Sequence, residues 1–481
     1  MIPLSKEKPG SDCWESAQFF EKSEMNPPEA RQGRTESAAD DLRRTAPGIL
    51  SARRSYLLLG MVAVLMISDF VLRGIVPAGT TGRTDFSEVY TSAWLWRHGQ
   101  NFYNSSLATL TQERLIGVSV QVAPIYPPTT FVLLSPLTIL PWKWANFLWM
   151  MLCFAAVGAT IFLVWRIGGF RGWSLKTMAL MTFLLSFDPL HQAFHLGNLA
   201  VLVVPIALWA ILLAEREKDV AAGFVVGMAT CLKPQIGIWI LIYYLLRGRT
   251  KMFLAALAAA VPVAVLLLSR SAVLLDSLPD YRANLHYWFA PGRPYGFSEG
   301  ALPFHVNIVQ VILYQWLHSV LASNVIAYVL YLSGIAFWGW MLWRARFRIS
   351  APLAIASLIA LSFISLYHSV ADTTILTLAL AWVIPAEEQS WTRTRIAIGV
   401  IFLLMMMPGH SALMRLSPHL AASITTAWWW HLFVARYFVW LLSALNVALL
   451  SGMWESAREI RSADEASGQS FLIPRANPAI Y

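Results

Sequence analysis

The chain has 481 residues, of which 57% are hydrophobic and only 13% are charged. Soluble domains carry roughly a quarter charged residues, so this composition excludes a water-soluble globule. The net charge of +9 arises outside residues 1–54, which carry nine basic and nine acidic side chains, and the basic residues of the remaining chain gather in short loops. It therefore indicates membrane topology and gives no support to nucleic-acid binding.

The two ends of the chain are polar. Residues 1–54 are rich in Pro, Ser, Glu and Arg and lack an initial hydrophobic region, which predicts a disordered cytoplasmic tail without a cleavable signal peptide. Residues 455–481 have the same character and are predicted to form a second cytoplasmic tail. Between these tails, residues 55–454 form one predicted transmembrane domain.

The first hydrophobic run, 56–76, follows a cluster of arginines, so the positive-inside rule predicts that it leaves the cytoplasm. The polar stretch 77–124 is then expected outside, with room for short surface helices. The run 125–141 is too short and too interrupted by proline to be a firm span. Residues 142–164 return the chain to the cytoplasm.

The later hydrophobic runs alternate in direction. They are 176–187, 199–214, 220–246, 252–268, 324–343, 351–366, 375–384, 394–407 and 428–450. Proline ends helices, so Lys233-Pro234 is predicted to divide the run 220–246 into two short helices. The sequence thus predicts about twelve crossings with both termini in the cytoplasm. It also predicts a long aromatic external loop, 269–307.

Two groups of polar residues on this path have open interpretations. Asp85 and Glu88 follow the first helix, and they indicate either a catalytic carboxylate or an ordinary hydrated loop. Lys233 lies inside a hydrophobic run, where a charged side chain costs about 2.5–3.5 kcal/mol on insertion scales. It either holds an anionic group or extends its long stem to the membrane interface.

Two further groups lie near predicted helix ends. His368 and Asp372 are four residues apart and share a face if helical, although a polar helix end facing water has the same spacing. The segment 281–297 carries Arg282, Trp288 and Arg293, which suit a sugar and a phosphate. The same residue types also form interfacial aromatic belts.

No nucleotide-binding or zinc-protease motif is present in the sequence. The three cysteines are scattered and predict neither a disulfide framework nor a metal site. Asp85 and Glu88 do not form an Asp-x-Asp pair, so neither a required metal nor a cofactor is predicted.

Four sequence blocks occur in an order that resembles a known family. They are Asp85-Phe-Ser-Glu-Val-Tyr90 with Gly99-Gln-Asn-Phe-Tyr103; Tyr126-Pro-Pro-Thr-Thr-Phe-Val-Leu-Leu-Ser-Pro136; Gly197-Asn198 with Ala222-Gly223, Gly227 and Lys233-Pro234; and Ser362-Phe-Ile-Ser365 with His368. Together they resemble glycosyltransferase family 87, the polyprenyl-phosphate-sugar-dependent mannosyltransferases of bacterial membranes. The resemblance covers roughly residues 55 to 385.

This resemblance implies an all-α GT-C membrane bundle in the bacterial inner membrane, with a cavity open to the outside. Its substrates would be a polyprenyl-phosphate sugar donor, such as one carrying mannose, and a glycolipid or glycan acceptor. Asp85 matches the position of the family's catalytic base. It would take the proton of the acceptor hydroxyl as that oxygen attacks the anomeric carbon, with inversion.

The leaving group would be a lipid phosphate, whose charge a cation must offset. Lys233 fits this role, with His368, Arg282 and Arg293 assisting. Further substrate contacts are expected from six residues: Glu88, Tyr90, Tyr126, Asn198, Trp288 and Asp372.

The sequence departs from the family pattern at Gly197-Asn-Leu-Ala200, where the family's Gln is absent. Two alternatives to a transferase therefore stay open. A lipid or glycan flippase would explain the broken helix at Lys233-Pro234, because discontinuous helices mark transport sites. A scaffold subunit with a decayed site would explain the departures.

Overall fold

A computed structural model of the chain describes residues 56–76, 84–118, 120–170, 172, 174–291, 293, 295–297, 308–384, 391–406 and 416–466. Within these ranges the regular secondary structure is helical, with no strand, which confirms the all-α prediction. The described residues from Leu58 onward form one compact unit. The predicted tail 1–54 lies outside the described residues.

The helices are numbered in chain order. They are α1 (Tyr56–Ile75), α2 (Thr84–Arg97), α3 (Ser105–Ile116), α4 (Pro128–Leu134), α5 (Trp142–Ile167), α6 (Leu175–Leu185), α7 (Asp188–Leu196), α8 (Ala200–Ala214), α9 (Asp219–Leu232), α10 (Pro234–Leu246), α11 (Thr250–Leu268), α12 (Ser271–Phe289), α13 (Gln310–Leu317), α14 (Val320–Arg344), α15 (Ala351–Ser365), α16 (Leu380–Val383), α17 (Arg393–Met406), α18 (Ala422–Thr425) and α19 (Tyr437–Ala466). Three 3-10 helices, Ser135–Ile139, Val370–Ala379 and Ser417–His419, complete the described helical structure together with π-helical turns in Val71–Ile75 and Trp430–Val434.

Five of the described helices are long and apolar enough to cross a bilayer: α1, α5, α11, α14 and α19. Their outer faces are apolar, and Leu58, Val261 and Leu321 are each more than half exposed. Such a surface is stable against lipid and would aggregate in water. The chain is therefore a multi-pass membrane protein, while the count of about twelve crossings stays a prediction.

The helix break at Lys233-Pro234 forms as predicted. Helix α9 ends at Leu232 and α10 begins at Pro234, and Lys233 between them has φ −152° and ψ 85°. A helix break leaves carbonyl groups without partners, which is costly inside a membrane. Thr129 donates to the carbonyl of Cys231 at 2.6 Å and Thr130 donates to that of Leu232 at 2.8 Å. Helix α4 thus stabilises the break that places Lys233 in the interior.

Among its described residues, the stretch 77–124 carries two helices, α2 and α3. Helix α2 is largely buried, as Phe86, Val89 and Leu95 show, and so differs from the surface helix expected there. Helix α2 is anchored to the transmembrane bundle through Phe86, whose ring stacks on that of Trp149 in α5 with centroids 4.3 Å apart. Because Phe86 follows Asp85 directly, this stacking fixes the position of the Asp85 backbone.

The prediction of a long loop over 269–307 is wrong for its first half, because residues Ser271–Phe289 form the 19-residue helix α12. Its buried residues Ser277 and Asn284 are seven apart, which is two helical turns. Asn284 donates to the carbonyls of Tyr103 and Pro124 at 2.8 and 3.0 Å. The abundance of aromatic residues suggested an interfacial loop and obscured this helical spacing.

The polar C-terminal segment begins as a helix. Helix α19 continues to Ala466, so the boundary predicted at residue 455 lies within it. The charged side chains of this part pair with one another or with a neighbouring loop: Arg461 contacts Glu465 at 2.7 Å, and Asp464 contacts Arg348. Pairs four residues apart support an exposed helix. Residues 467–481 lie outside the described residues.

Candidate active site

A cavity of about 720 Å³ lies beside the N-terminal end of α2. Its wall is built from seven parts of the chain: α2, α3, the segment before α4, α5, the α7–α8 junction, the α9–α10 break and the segment that follows α15. Helix α12 and Tyr295 close the remaining side. Its volume falls within the range typical of ligand pockets, about 300–1,000 Å³.

Asn198 enters the cavity because the chain turns sharply before it. Gly197 ends α7 with φ +65°, a left-handed conformation that glycine adopts at little cost. Trp149 donates to the Gly197 carbonyl at 3.1 Å and holds this turn against α5. The Asn198 side chain, itself buried, is thereby directed toward α2 and the helix break.

Four polar side chains are linked in series along the cavity wall by two hydrogen bonds and one ion pair. Asn198 Nδ2 donates to Asp85 Oδ2 at 2.6 Å, and Asn198 Oδ1 accepts from Lys233 Nζ at 2.8 Å. Lys233 in turn forms a buried ion pair with Asp372. Residues from four separate segments of the chain thus lie together, although Asp85 and Asp372 are almost 290 positions apart in the sequence.

Asp372 is held at the start of its 3-10 helix by a capping box with Ser369, whose backbone N–H donates to Asp372 Oδ2 at 3.1 Å. His368 Nδ1 lies 3.7 Å from the same oxygen. The His368 ring is buried, packs on Phe363 and places Nε2 at 3.2 Å from Ser362 Oγ. His368 therefore lies beside Asp372 and does not line the cavity.

Two carboxyl groups on α2 share the cavity mouth. The pKa of Asp85 is raised above its ordinary value, because burial outweighs the lowering effects of the hydrogen bond from Asn198 and the charge of Lys233. Burial, followed by the nearby charge of Asp85, raises the pKa of Glu88 to about 8. Glu88 Oε1 is buried without a hydrogen-bond partner. With a pKa of about 8, Glu88 is largely protonated at pH 7.

Aromatic rings form the side of the cavity opposite α2. Tyr295 packs between Trp288 and Tyr367, with centroid distances of 5.1 and 4.5 Å. Trp288 donates its indole N–H to the Ala123 carbonyl at 2.6 Å, so its ring face is fixed. Tyr126 lies on the other side, where its hydroxyl accepts from Asn198 at 3.2 Å. Fixed aromatic faces of this kind pack against the C–H faces of a sugar ring.

Seven of the candidate residues predicted from sequence line this cavity. They are Asp85, Glu88, Tyr126, Asn198, Lys233, Trp288 and Asp372. Tyr90 does not, because its hydroxyl donates to the Leu140 carbonyl at 2.8 Å and its ring packs on Trp142.

Arg282 and Arg293 also lie outside the cavity wall, and both are exposed. Arg293 stacks over the Tyr287 ring at 4.1 Å. The donor-phosphate role predicted for these arginines and for His368 has no support from their positions. For the arginines, the prediction assumed a loop, whereas the phase of helix α12 directs Arg282 away from the cavity.

Sequence reasoning missed several residues that line the cavity. They are Gln112, Asn146, Tyr281, Tyr295, Tyr367 and Ser369. Tyr367 and Ser369 flank His368, so the polar run around that histidine was a usable signal. Gln112 and Asn146 lie inside ordinary amphipathic or apolar helices and carry no local signal. The described residues contain no group of three or more His, Cys, Asp or Glu side chains arranged to hold a metal ion.

A comparison with known protein families identifies the family of this chain. A model of glycosyltransferase family 87 matches residues 125–370, just over half of the sequence. The chain belongs to glycosyltransferase family 87. The matched range contains Asn198, Lys233 and His368, whereas Asp85 and Glu88 precede it and Asp372 follows it.

Family 87 membership makes the chain a membrane glycosyltransferase. Among solved structures, the chain is similar to ArnT from Cupriavidus metallidurans in the apo state, with 15% sequence identity and a TM-score of 0.32, over 88% of this chain and 82% of that one. No curated protein matches the sequence.

Proposed function

We propose that this family 87 member transfers a hexose, mannose in the simplest case, from a polyprenyl-phosphate donor to a hydroxyl of a glycolipid or glycan. The reaction takes place on the outer face of a bacterial inner membrane, which is the side of α2 in the predicted topology. The observation that carries the proposal is the joining of Asp85 to Lys233 through Asn198 in one cavity. A base and a cation at one cavity wall are what transfer from a phosphate donor requires.

Asp85 is the proposed general base. The acceptor oxygen attacks the anomeric carbon, the new C–O bond forms, and the proton of the acceptor passes to Asp85. The bond between the anomeric carbon and the phosphate oxygen breaks, and its electron pair stays on the lipid phosphate. Attack opposite the leaving group inverts the configuration. Burial leaves the pKa of Asp85 raised, so its carboxylate is a stronger base once ionised, and the hydrogen bond from Asn198 and the charge of Lys233 stabilise that ionised form.

Lys233 is the proposed partner of the leaving phosphate. It is the cationic side chain among the described residues of the cavity wall, and its ion pair with Asp372 fixes the ammonium in place. A preorganised cation stabilises charge that develops on the leaving oxygen without reorganising in the reaction. The aromatic rings around Tyr295 are proposed to hold the sugar between Lys233 and Asp85.

The broken helix at Lys233 is the one observation that favours a second candidate, a lipid or glycan flippase. A flippase needs a path across the bilayer but no base beside its cation. The placement of Asp85 within two hydrogen bonds of Lys233 favours transfer over transport.

The experiment that separates the two uses the full-length protein in vesicles loaded with polyprenyl-phosphate [¹⁴C]mannose and a membrane-lipid acceptor pool. We expect radioactivity to move from the donor to a new lipid or glycan product. Movement of intact donor between leaflets without any new product would contradict the proposal and support the flippase. If the donor neither moves between leaflets nor yields a product, mannose is excluded as the sugar. Other polyprenyl-phosphate hexoses would then be tested in the same vesicles.

A further inference from the structure

A second cavity, of about 700 Å³, lies between two short loops. One loop, 246–248, follows α10, and the other, 346–348, follows α14. Helix α10 begins beside Lys233 and has 13 residues. At 1.5 Å per residue, its far end lies about 20 Å from the active-site cavity. The second cavity is therefore at the opposite end of the bundle, on the cytoplasmic side in the predicted topology.

Arginines dominate the wall of this cavity. Arg247, Arg346 and Arg348 line it, and the other lining residues are Leu246, Gly248 and Phe347. Among the described residues, no acidic side chain lines it. Planar guanidinium groups match the geometry of a phosphate better than any other side chain, because each presents several N–H donors in one plane.

Two acidic residues contact these arginines from outside the wall. Glu215 lies 3.3 Å from Arg247, and Asp464 contacts Arg348 and lies 3.9 Å from Arg346. Among the described residues, the three arginines thus lie beside two carboxylates. The guanidinium groups give the opening a positive potential that attracts an anion.

The backbone at the cavity is in an unusual conformation. Arg346 has φ +51° and Phe347 has φ +59°, and both lie in the left-handed region that residues with a Cβ rarely adopt. Backbone hydrogen bonds from Phe347 to Leu342 and from Arg348 to Ala345 hold this turn. Strain of this kind is retained where the surrounding structure fixes it, and it collects at ligand sites.

Two exposed apolar side chains lie beside this charged cluster. Leu246 is 50% exposed and Trp343, at the end of α14, is 68% exposed. An exposed Trp beside arginines is typical of the boundary between acyl chains and headgroups. An occupant that combines an anionic head with acyl chains would contact both features.

We propose that this second cavity binds the phosphate of an anionic lipid headgroup, with its acyl chains along α10 and α14. Inorganic phosphate could bind the same arginines, but it has no acyl chains to contact the apolar side chains beside the cavity. The proposal is independent of the sugar-transfer reaction, because none of its residues lines the active-site cavity.

The test measures lipid binding to the purified full-length protein by native mass spectrometry, with phosphatidylglycerol and phosphatidylcholine titrated separately. We expect the wild type to prefer phosphatidylglycerol. The double variant Arg346→Gln/Arg348→Gln should bind it about thirtyfold more weakly, since each cation near a membrane surface contributes a factor of about five. Arg216→Gln, which removes an exposed arginine from the same end of the bundle but outside the cavity wall, should bind as the wild type does.

Asp464→Asn is the complementary variant, because it keeps both arginines and removes a carboxylate that competes for them. It should bind phosphatidylglycerol severalfold more tightly. Equal affinity of wild type and double variant, or weaker binding by Asp464→Asn, would overturn the proposal. Displacement of the lipid by millimolar inorganic phosphate would likewise overturn it and assign the cavity to free phosphate.

Discussion

Asn198 is the residue on which the geometry of the active site depends. Its side-chain amide forms hydrogen bonds with Asp85, Tyr126, Lys233 and the backbone N–H of Ala200. Both ends of the amide are thus used, and its orientation is fixed. The family's expected Gln is absent from Gly197-Asn-Leu-Ala200, and Asn198 supplies an amide that reaches both the carboxylate and the ammonium.

Replacing Asn198 by Ala should lower kcat about tenfold to a hundredfold, because hydrogen bonds to two charged groups are lost. The measurement is the steady-state rate of sugar transfer at saturating donor. Gln192→Ala is the control, since Gln192 donates to Asp188 at 3.1 Å and lies outside the cavity wall. A kcat for Asn198→Ala within twofold of the control would contradict this role.

Glu88 should make stability depend on pH. Its pKa is raised from 4.5 to about 8 in the folded protein, so the folded state holds a proton that the unfolded state releases. Stability therefore falls as pH rises from about 4.5 to about 8. Glu88→Gln removes this contribution, and its Tm relative to the wild type should increase between pH 5 and pH 8 in thermal unfolding experiments. A constant Tm difference across that range would mean that Glu88 is not protonated in the folded protein.

Sequence reasoning at the residue scale selected Asp85 and Lys233 because a charged group near or inside a hydrophobic run is a local signal, and both line the cavity. Arg282 and Arg293 do not line it, and the direction of Arg282 depends on the phase of α12, which the sequence did not reveal. Sequence reasoning assigned His368 to the phosphate, whereas the ring contacts Asp372 and Ser362. Whether a polar side chain faces a cavity or a neighbour is decided by tertiary packing.

At the scale of elements, the α9–α10 break is held in place by close packing of α9 against α11. Gly223 and Gly227 are four residues apart on one face of α9. A Cβ on Gly227 would lie 2.7 Å from the Ala256 carbonyl oxygen, and one on Gly223 would overlap the Met252 carbonyl. Small residues at this spacing let membrane helices approach closely.

Gly223→Ala should therefore destabilise the protein, by about 1–3 kcal/mol as for other overpacked sites. The matched control is Gly158→Ala in α5, where an added Cβ meets no atom within 4 Å and helix propensity favours Ala. Thermal unfolding in detergent should show a lower Tm for Gly223→Ala and an equal or higher Tm for Gly158→Ala. Equal Tm values for both variants would show that α9 and α11 do not pack this closely.

The sequence predicted elements well where proline or a charge interrupts a hydrophobic run. The break at Lys233-Pro234 is the clearest example, because proline lacks the N–H that would continue the helix. It predicted α12 and the end of α19 poorly. Both are amphipathic and partly polar, so hydrophobicity alone does not separate them from loops.

At the scale of the whole molecule, the orientation in the membrane follows from the distribution of arginines and lysines. The loop at 215–218 is expected inside and the segment before α4 outside. In a background without the three cysteines, Gln121→Cys should react with a membrane-impermeant maleimide added to intact cells. Arg216→Cys should react only after permeabilisation. The reverse pattern would place the active-site cavity on the cytoplasmic side and contradict the proposed use of a donor on the outer face.

We propose that Asp85 is the base for sugar transfer and that the cavity binds the donor without its help. The most direct test compares wild type with Asp85→Asn in nanodiscs, measuring donor binding and product formation on the same samples. We expect Asp85→Asn to retain donor affinity within a few-fold and to lose at least about a hundredfold in transfer rate, as expected for a general base. Transfer by Asp85→Asn at a rate close to that of the wild type would show that Asp85 is not the base.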